Sequence, residues 1–159
     1  MIEYIYPNDV DMKFKLMEFV YKNTDSFILN TFGYLWEERK WWDKFPIQVY
    51  KINDKIVGLH AFSIGTKEDN VFKTYYIITD KEHRGKGIAK QLILCSLDYY
   101  ESSTCTTYYV NSEENSDGIL FFKKMFDNQF VKQKNQFGTD DYTFKAPIKT
   151  ILNKCGIKS

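Results

Sequence analysis

The stretch TDKEHRGKGIAKQLI, Thr79–Ile93, joins a β-branched, aromatic run to an amphipathic one. Gly85 and Gly87 stand between the two, flanked by Arg84 and Lys86. A glycine-bearing turn that ends a strand and opens a helix is a natural anion holder. The first-turn N–H groups lack intrahelical partners, and the macrodipole makes that end partly positive. Glycines permit positive φ and remove side chains that would keep a phosphate off those amides. Ala89 is also small, so the helix start can approach a ligand or the neighbouring strand.

Outward from the turn, Val71–Thr79 reads as a central strand with apolar character on both faces. Gly87–Tyr100 reads as a helix, with Ile88, Leu92, Cys95 and Tyr99 on one stripe and Ala89, Ile93, Leu97 and Tyr100 beside it. Upstream, residues 2–6 form a short strand and Val10–Lys22 a helix whose inner face carries Met12, Leu16, Phe19 and Val20. One or two short helices are expected within 23–46. Ile47–Ile52 and Ile56–Ile64 make a hairpin around Asn53-Asp54-Lys55. Downstream come a strand at Thr106–Val110 and a helix from Ile119 capped by Asn115, Ser116 or Asp117. Strands at Phe130–Gln133 and Asp141–Lys145 follow, around a turn at Gly138. The order describes one mixed α/β domain over residues 1–159.

Composition bounds the function. The chain has 159 residues with 43% hydrophobic and 27% charged, ordinary for a globular domain of this size. A formal charge of +1 argues against a general nucleic-acid binder. No apolar run approaches the roughly 20 residues that span a bilayer, and the N-terminus lacks a secretory pattern. Cys95, Cys105 and Cys155 are odd in number and outside metal-ligand spacing, which fits a reducing compartment and makes the cytoplasm the expected location. The two histidines, His60 and His83, join no metal-spaced cluster, so no metal is expected. His60, inside a strand, is expected to be a hydrogen-bonded structural residue, and His83 to be exposed.

The turn excludes two familiar phosphate loops. It lacks the G-x-x-x-x-G-K-[ST] spacing of a nucleotide-triphosphate loop, and no third small residue completes G-x-G-x-x-G. The run Arg84-Gly85-Lys86-Gly87-Ile88-Ala89 resembles instead the R/Q-x-x-G-x-G/A signature of the GNAT superfamily of N-acetyltransferases, matched at Arg84, Gly87 and Ala89. The element order is similar to that family's over nearly the whole chain.

The resemblance implies a GNAT-like fold, with a mixed sheet of about six to seven strands, flanking helices and splayed middle strands. It implies acetyl-CoA as acyl donor, its pyrophosphate bound by Arg84, Gly85, Lys86, Gly87, Ile88 and Ala89 and its pantetheine lined up through Ile77 and Thr79. Asn115 matches a further cofactor-contacting position near the start of the next helix. Seven residues on, where the family commonly has the tyrosine that protonates the leaving thiolate, this chain has Phe122. Glu113 and Glu114 are then candidate general bases, ahead of Asp80, Glu82 and His83, while Tyr109, Tyr108 and Tyr142 are substitutes for the acid.

Aromatic residues are abundant, with 12 Tyr, 13 Phe and 3 Trp, so for any one of them packing competes with a functional role. The segment Tyr34–Phe45, with Trp36, Trp41 and Trp42 among Glu37, Glu38 and Asp43, can box a cationic amine, anchor a helix on the sheet or form a homodimer contact. The acceptor remains open between a small-molecule amine and a protein or peptide amine. The alternatives to acetyl transfer are a catalytically silent module of the same fold and a binder of some other phosphate ligand.

Overall fold

The computed structural model describes residues 1–5, 10–24, 47–65, 70–101, 105–113 and 118–156. The short helices expected within 23–46 therefore lie outside the described residues, apart from the end of the first helix. Seven strands are β1 (Ile2–Ile5), β2 (Ile47–Ile52), β3 (Lys55–Ile64), β4 (Val71–Thr79), β5 (Thr107–Glu113), β6 (Val131–Lys134) and β7 (Asp140–Pro147). They form a sheet of order β1-β2-β3-β4-β5-β7-β6, which makes β4 central as expected. The helices among the described residues are α1 (Val10–Asn23), α2 (Ile88–Glu101), α3 (Ile119–Met125) and α4 (Ile148–Lys154), with a single 3-10 turn at Lys81–His83. No helix among them is long and apolar enough to cross a membrane. This is a mixed α/β fold: β4 pairs parallel with β5, whereas β1–β2, β2–β3, β5–β7 and β6–β7 are antiparallel.

The chain gathers into two compact units, Met1–Phe62 with Tyr76–Ile93, and Ser63–Tyr75 with Leu94–Ser159. In the first, α1 lays Leu16, Phe19 and Val20 on Ile5, Ile47, Val49, Leu59, Ala61 and Ile78, and Met12 packs at the edge. The β2–β3 hairpin turns through Asn53 and Asp54 at φ 50° and 66°, the left-handed pair that suits strand twist. The register then slips, from Tyr50↔Gly58 to Lys51↔Ile56, leaving Val57 as an extra residue of β3. This bulge lets Ile56 and Leu59, three apart, both face the α1 side, while Val57 packs with Ile88 and Leu92 of α2.

In the second unit, β7 inserts between β5 and β6 and is paired to β5 along Thr107–Glu113. An aromatic block fills this part: Phe122 and Phe126 lie 5.9 and 5.3 Å from Phe144, and Tyr108 stacks on Phe126 at 5.5 Å. Lys154 donates to the carbonyls of Lys124 and Met125 and to the Asp127 carboxylate, covering the open C-terminal end of α3.

Four sequence expectations need correction. Helix α4 has no counterpart among the sequence expectations, because its pattern, Ile148, Ile151 and Leu152 buried behind Pro147, spans only two turns. Strand β5 runs on to Glu113, because β7 pairs with it to Asp141. The residue at the head of α3 is Gly118, and the expected caps Asn115, Ser116 and Asp117 lie outside the described residues. Cys95 is exposed rather than on the buried stripe of α2, which runs instead through Ile88, Leu92, Ile93, Ser96 and Leu97.

Candidate functional site

The strand-to-helix turn forms as the residues dictate. Gly85 and Gly87 hold φ of 77° and 79°, where any Cβ would be strained, and a Cβ at either position would meet nothing within 4 Å. Both are exposed, together with Arg84 and Lys86. The Gly87 carbonyl accepts the Gln91 amide at 2.9 Å, so Gly87 is the cap and Ile88 the first helical residue. No acidic side chain sits in the first turn of α2 to occupy its free amides or offset the helix dipole. Ile88 is buried beneath and Ala89 is half-buried.

The approach of α2 to the strands depends on Gly58, which sequence reading passed over. A Cβ there would lie 2.7 Å from Ile88 Cγ2 and 3.0 Å from Leu92 Cδ1. The available signal was an isolated glycine inside a strand pattern, which marks a bulge or a close approach, and here it marks both.

Behind the turn, buried polar groups brace it. The Asp80 carboxylate accepts the Glu82 amide at 2.9 Å and lies 3.4 Å from His83 Nδ1. Burial pushes this carboxyl up, but the Glu82 amide, His83, Lys22 and Lys55 outweigh that and hold it below the usual carboxylate range. Asp80 is thus a structural anion committed to its own turn, and His83, expected to be exposed, is instead half-buried because its ring lies against that carboxylate. Asn23, at the end of α1, donates to Phe19 O at 2.9 Å and accepts the Lys81 amide at 3.0 Å. Arg84 reaches back, its Nε donating to Thr79 O at 3.4 Å and its Nη2 to Asn23 O at 3.5 Å. Besides adding charge, then, it ties the turn to β4 and α1. Asn23 carried no sequence signal for this role.

Of the residues singled out from sequence, Ile77, Thr79 and Arg84 to Ala89 belong to one compact unit. Ile77 packs against Val57, Ile88 and Leu92, at the foot of the same helix. Tyr109 and Glu113 are on β5 in the other unit; the Tyr109 ring has Lys73 Nζ at 5.1 Å, and Glu113 is in register with Asp141. Glu114, Asn115 and the aromatic segment Tyr34–Phe45 lie outside the described residues. Among the acid substitutes, Tyr108 is fully buried, its hydroxyl 2.7 Å from Thr74 Oγ1, and burial pushes its phenol further up. Tyr142 is buried too, with Lys123 Nζ 4.8 Å and Lys132 Nζ 5.9 Å from its ring centre. Phe122 is packed in the aromatic block and has no proton to give.

His60 proves to be structural. It is buried on β3, with Nδ1 3.0 Å from Gln48 Oε1, and burial lowers its pKa from 6.5 to about 3. In the unfolded chain the ring binds its proton near pH 6.5, so between pH 6.5 and 3 the unfolded state holds more protons than the folded one. Stability is therefore full above pH 6.5 and falls as the solution is acidified through that window, by up to about 1.4 kcal/mol per pH unit. His60→Gln is expected to remove one proton's worth of this slope in urea melts between pH 4.5 and 6. An unchanged slope would mean that the ring already takes up its proton in the folded chain.

Among the described residues, no three His, Cys, Asp or Glu side chains come together as a metal-holding group. No curated protein matches the sequence. Among solved structures, a GNAT-family protein from Desulfovibrio desulfuricans superposes with a TM-score of 0.74 at 8% identity, over 93% of this chain and 99% of that one. An aminoglycoside 6'-N-acetyltransferase complexed with coenzyme A gives 0.67 at 11% identity, over 93% and 97%. A variant of spermidine N-acetyltransferase from Vibrio cholerae gives 0.64 at 16% identity, over 98% and 99%. The family model described as Acetyltransferase (GNAT) family matches residues 17–126, a span that contains the second half of α1, the parallel β4–β5 pair and the glycine turn. With that match over most of its length, the chain belongs to the GNAT family of acetyltransferases.

Proposed function

We propose that residues 1–159 form one acyltransferase domain that moves an acetyl group from acetyl-CoA to a primary amine by direct attack. The observation that carries this reading is the exposed, left-handed Gly85–Gly87 turn, open above and followed by a helix whose first turn bears no acid. The diphosphate of the donor satisfies those amides, with Arg84 and Lys86 adding attraction. The amides of the pantetheine arm line up along β4 at Ile77 and Thr79 as an added strand would. The aminoglycoside enzyme's coenzyme A complex supports the same donor for this chain.

In the transfer, the amine nitrogen attacks the thioester carbonyl carbon. An N–C bond forms, the C–S bond breaks, the amine gives up a proton and the departing thiolate takes one. Glu113 or Glu114 removes the first proton, and Tyr109 or water supplies the second, since Phe122, Tyr108 and Tyr142 are unsuited by chemistry or burial. A coenzyme A thiolate leaves tolerably near neutral pH, so orientation can supply much of the acceleration without a strong acid. The cytoplasm, where donor and amines are both at hand, is the compartment this reading assigns.

A second reading, a silent module that binds coenzyme A or a protein partner, is favoured by Phe122, which fills the customary acid position with a buried ring. One experiment separates the two. The protein is mixed with acetyl-CoA and spermidine, an aminoglycoside or a peptide with a free N-terminus, and free thiol is followed. Thiol release well above the amine-free blank with at least one acceptor is expected. Coenzyme A binding without release for any amine would leave the silent module standing.

A further inference from the structure

Strands β4 and β5 part company at a defined rung. Their parallel register runs Val71↔Thr107, Phe72↔Tyr108, Lys73↔Tyr109 and Thr74↔Val110, and ends there, although β4 continues to Thr79 and β5 to Glu113. Beyond Val110 the residues of β5 are in register with β7: Asn111 with Thr143, Ser112 with Tyr142 and Glu113 with Asp141. Thr74 stands on the last of these rungs and Tyr108 two rungs before it, opposite Phe72, and the Tyr108 hydroxyl crosses diagonally to lie 2.7 Å from Thr74 Oγ1. Both side chains are buried, Tyr108 fully and Thr74 to within 4%. The tyrosine is itself immobilised. Its ring stacks on Phe126 with planes 15° apart and lies 6.0 Å from Phe72, and Phe126 in turn packs on Phe144 of β7.

We propose that the Thr74–Tyr108 hydroxyl pair is a positioning device that pins the last paired rung of β4 and β5 and thereby fixes where an acyl carrier can begin to pair with β4. This rests on the acetyl-transfer reading above. A carrier strand can add to β4 only past the point where β5 lets go. The rung that holds last therefore sets how far the carrier penetrates, and with it the position of the thioester carbonyl. A fixed endpoint is valuable because misplacing reacting groups by about 1 Å can lower a rate on the order of 100-fold. The diphosphate grip at Gly85–Gly87 is on separate residues and does not depend on this pair.

The test compares Tyr108→Phe and Thr74→Val, which each remove one hydroxyl at nearly constant volume, with Thr74→Ser, which keeps it. Two readouts are taken on the full chain. In hydrogen exchange, segments 72–76 and 108–111 are expected to lose protection about fivefold or more in Tyr108→Phe and Thr74→Val, while segment 140–143, held by β6, does not change. In steady-state kinetics with acetyl-CoA, kcat is expected to fall about 10-fold with KM within about threefold, and Thr74→Ser to restore most of what Thr74→Val loses. A pair that served only general stability would raise exchange across all these segments alike and leave kcat intact, which would overturn the proposal. So would unchanged exchange at the rung. If the wild-type chain binds coenzyme A but turns over no amine, the acetyl-transfer reading fails, and the exchange pattern still decides whether the pin exists.

Discussion

Replacing Gly87 by glutamate is expected to weaken coenzyme A binding at least about 100-fold while leaving the chain folded. The argument has two parts. Gly87 caps α2 at φ 79°, so any side chain there adopts a conformation costing about 1–2 kcal/mol. That is a fraction of the roughly 5–15 kcal/mol that holds a domain folded, and for a chain of this size it lowers Tm by less than about 8 °C. The neighbourhood adds no steric penalty, since nothing lies within 4 Å of the new Cβ. Binding suffers far more. A carboxylate at the cap puts a negative charge at the amide end of the helix, where the proposed diphosphate comes, and repels it. Gly87→Ala is the control, carrying the backbone strain without the charge, and only a several-fold loss is expected. Calorimetric titration with coenzyme A measures both, and circular dichroism reports the fold. Equal affinity for Gly87→Glu and wild type would remove the glycine turn from the site.

That turn was legible in the sequence because its chemistry is local. Gly85, Gly87 and the change of period at Ile88 lie within a few residues, and the conformation they require is the one found. The β2–β3 hairpin and α1 were legible for the same reason, each carrying its own turn residues or periodicity. What failed was information held at a distance. Cys95 reads as part of an apolar stripe, but Gln91, Cys95 and Asp98 are all exposed at helical spacing, so the helix rolls this narrow polar side outward. Tyr108 and Tyr109 are adjacent and chemically alike. Alternation sends one into the Phe126–Phe144 block and leaves the other against Lys73, and nothing in a pair of tyrosines says which goes where. The tie between Asn23 and Lys81 spans 58 residues and has no sequence pattern at all. The conformation of the glycine turn was therefore readable, whereas the end of the candidate site proposed for proton transfer depends on which side chains β5 presents.

Gly58→Val is expected to damage both stability and donor binding, though Gly58 is a β3 residue outside the turn. Three atoms would crowd the new Cβ: Ile88 Cγ2 at 2.7 Å, Leu92 Cδ1 at 3.0 Å and Tyr50 Cβ at 3.3 Å. Leu92 Cδ1 ends a flexible side chain and can swing away, but Ile88 Cγ2 is fixed to its own Cβ and Tyr50 Cβ to the backbone. The β2–β3 ladder, held by the Tyr50↔Gly58 rung, cannot yield without breaking its register. The helix must move instead, and its first residue moves most, because Ile88 is the closest contact. Overpacking of this kind typically costs about 1–3 kcal/mol, and the two further methyls of valine put the expected loss at the upper end or beyond. The same displacement carries the first-turn amides away from the Gly85–Gly87 backbone that completes the anion site, so coenzyme A affinity should fall at least about 10-fold in protein that is still folded. Gly58→Ala, with one carbon to accommodate, should show both effects in reduced measure. Urea melts and calorimetric titration on the two variants give the comparison. A Gly58→Val protein with wild-type stability and affinity would mean that α2 is not held against β3 as closely as its contacts require, and the placement of the turn would lose its foundation.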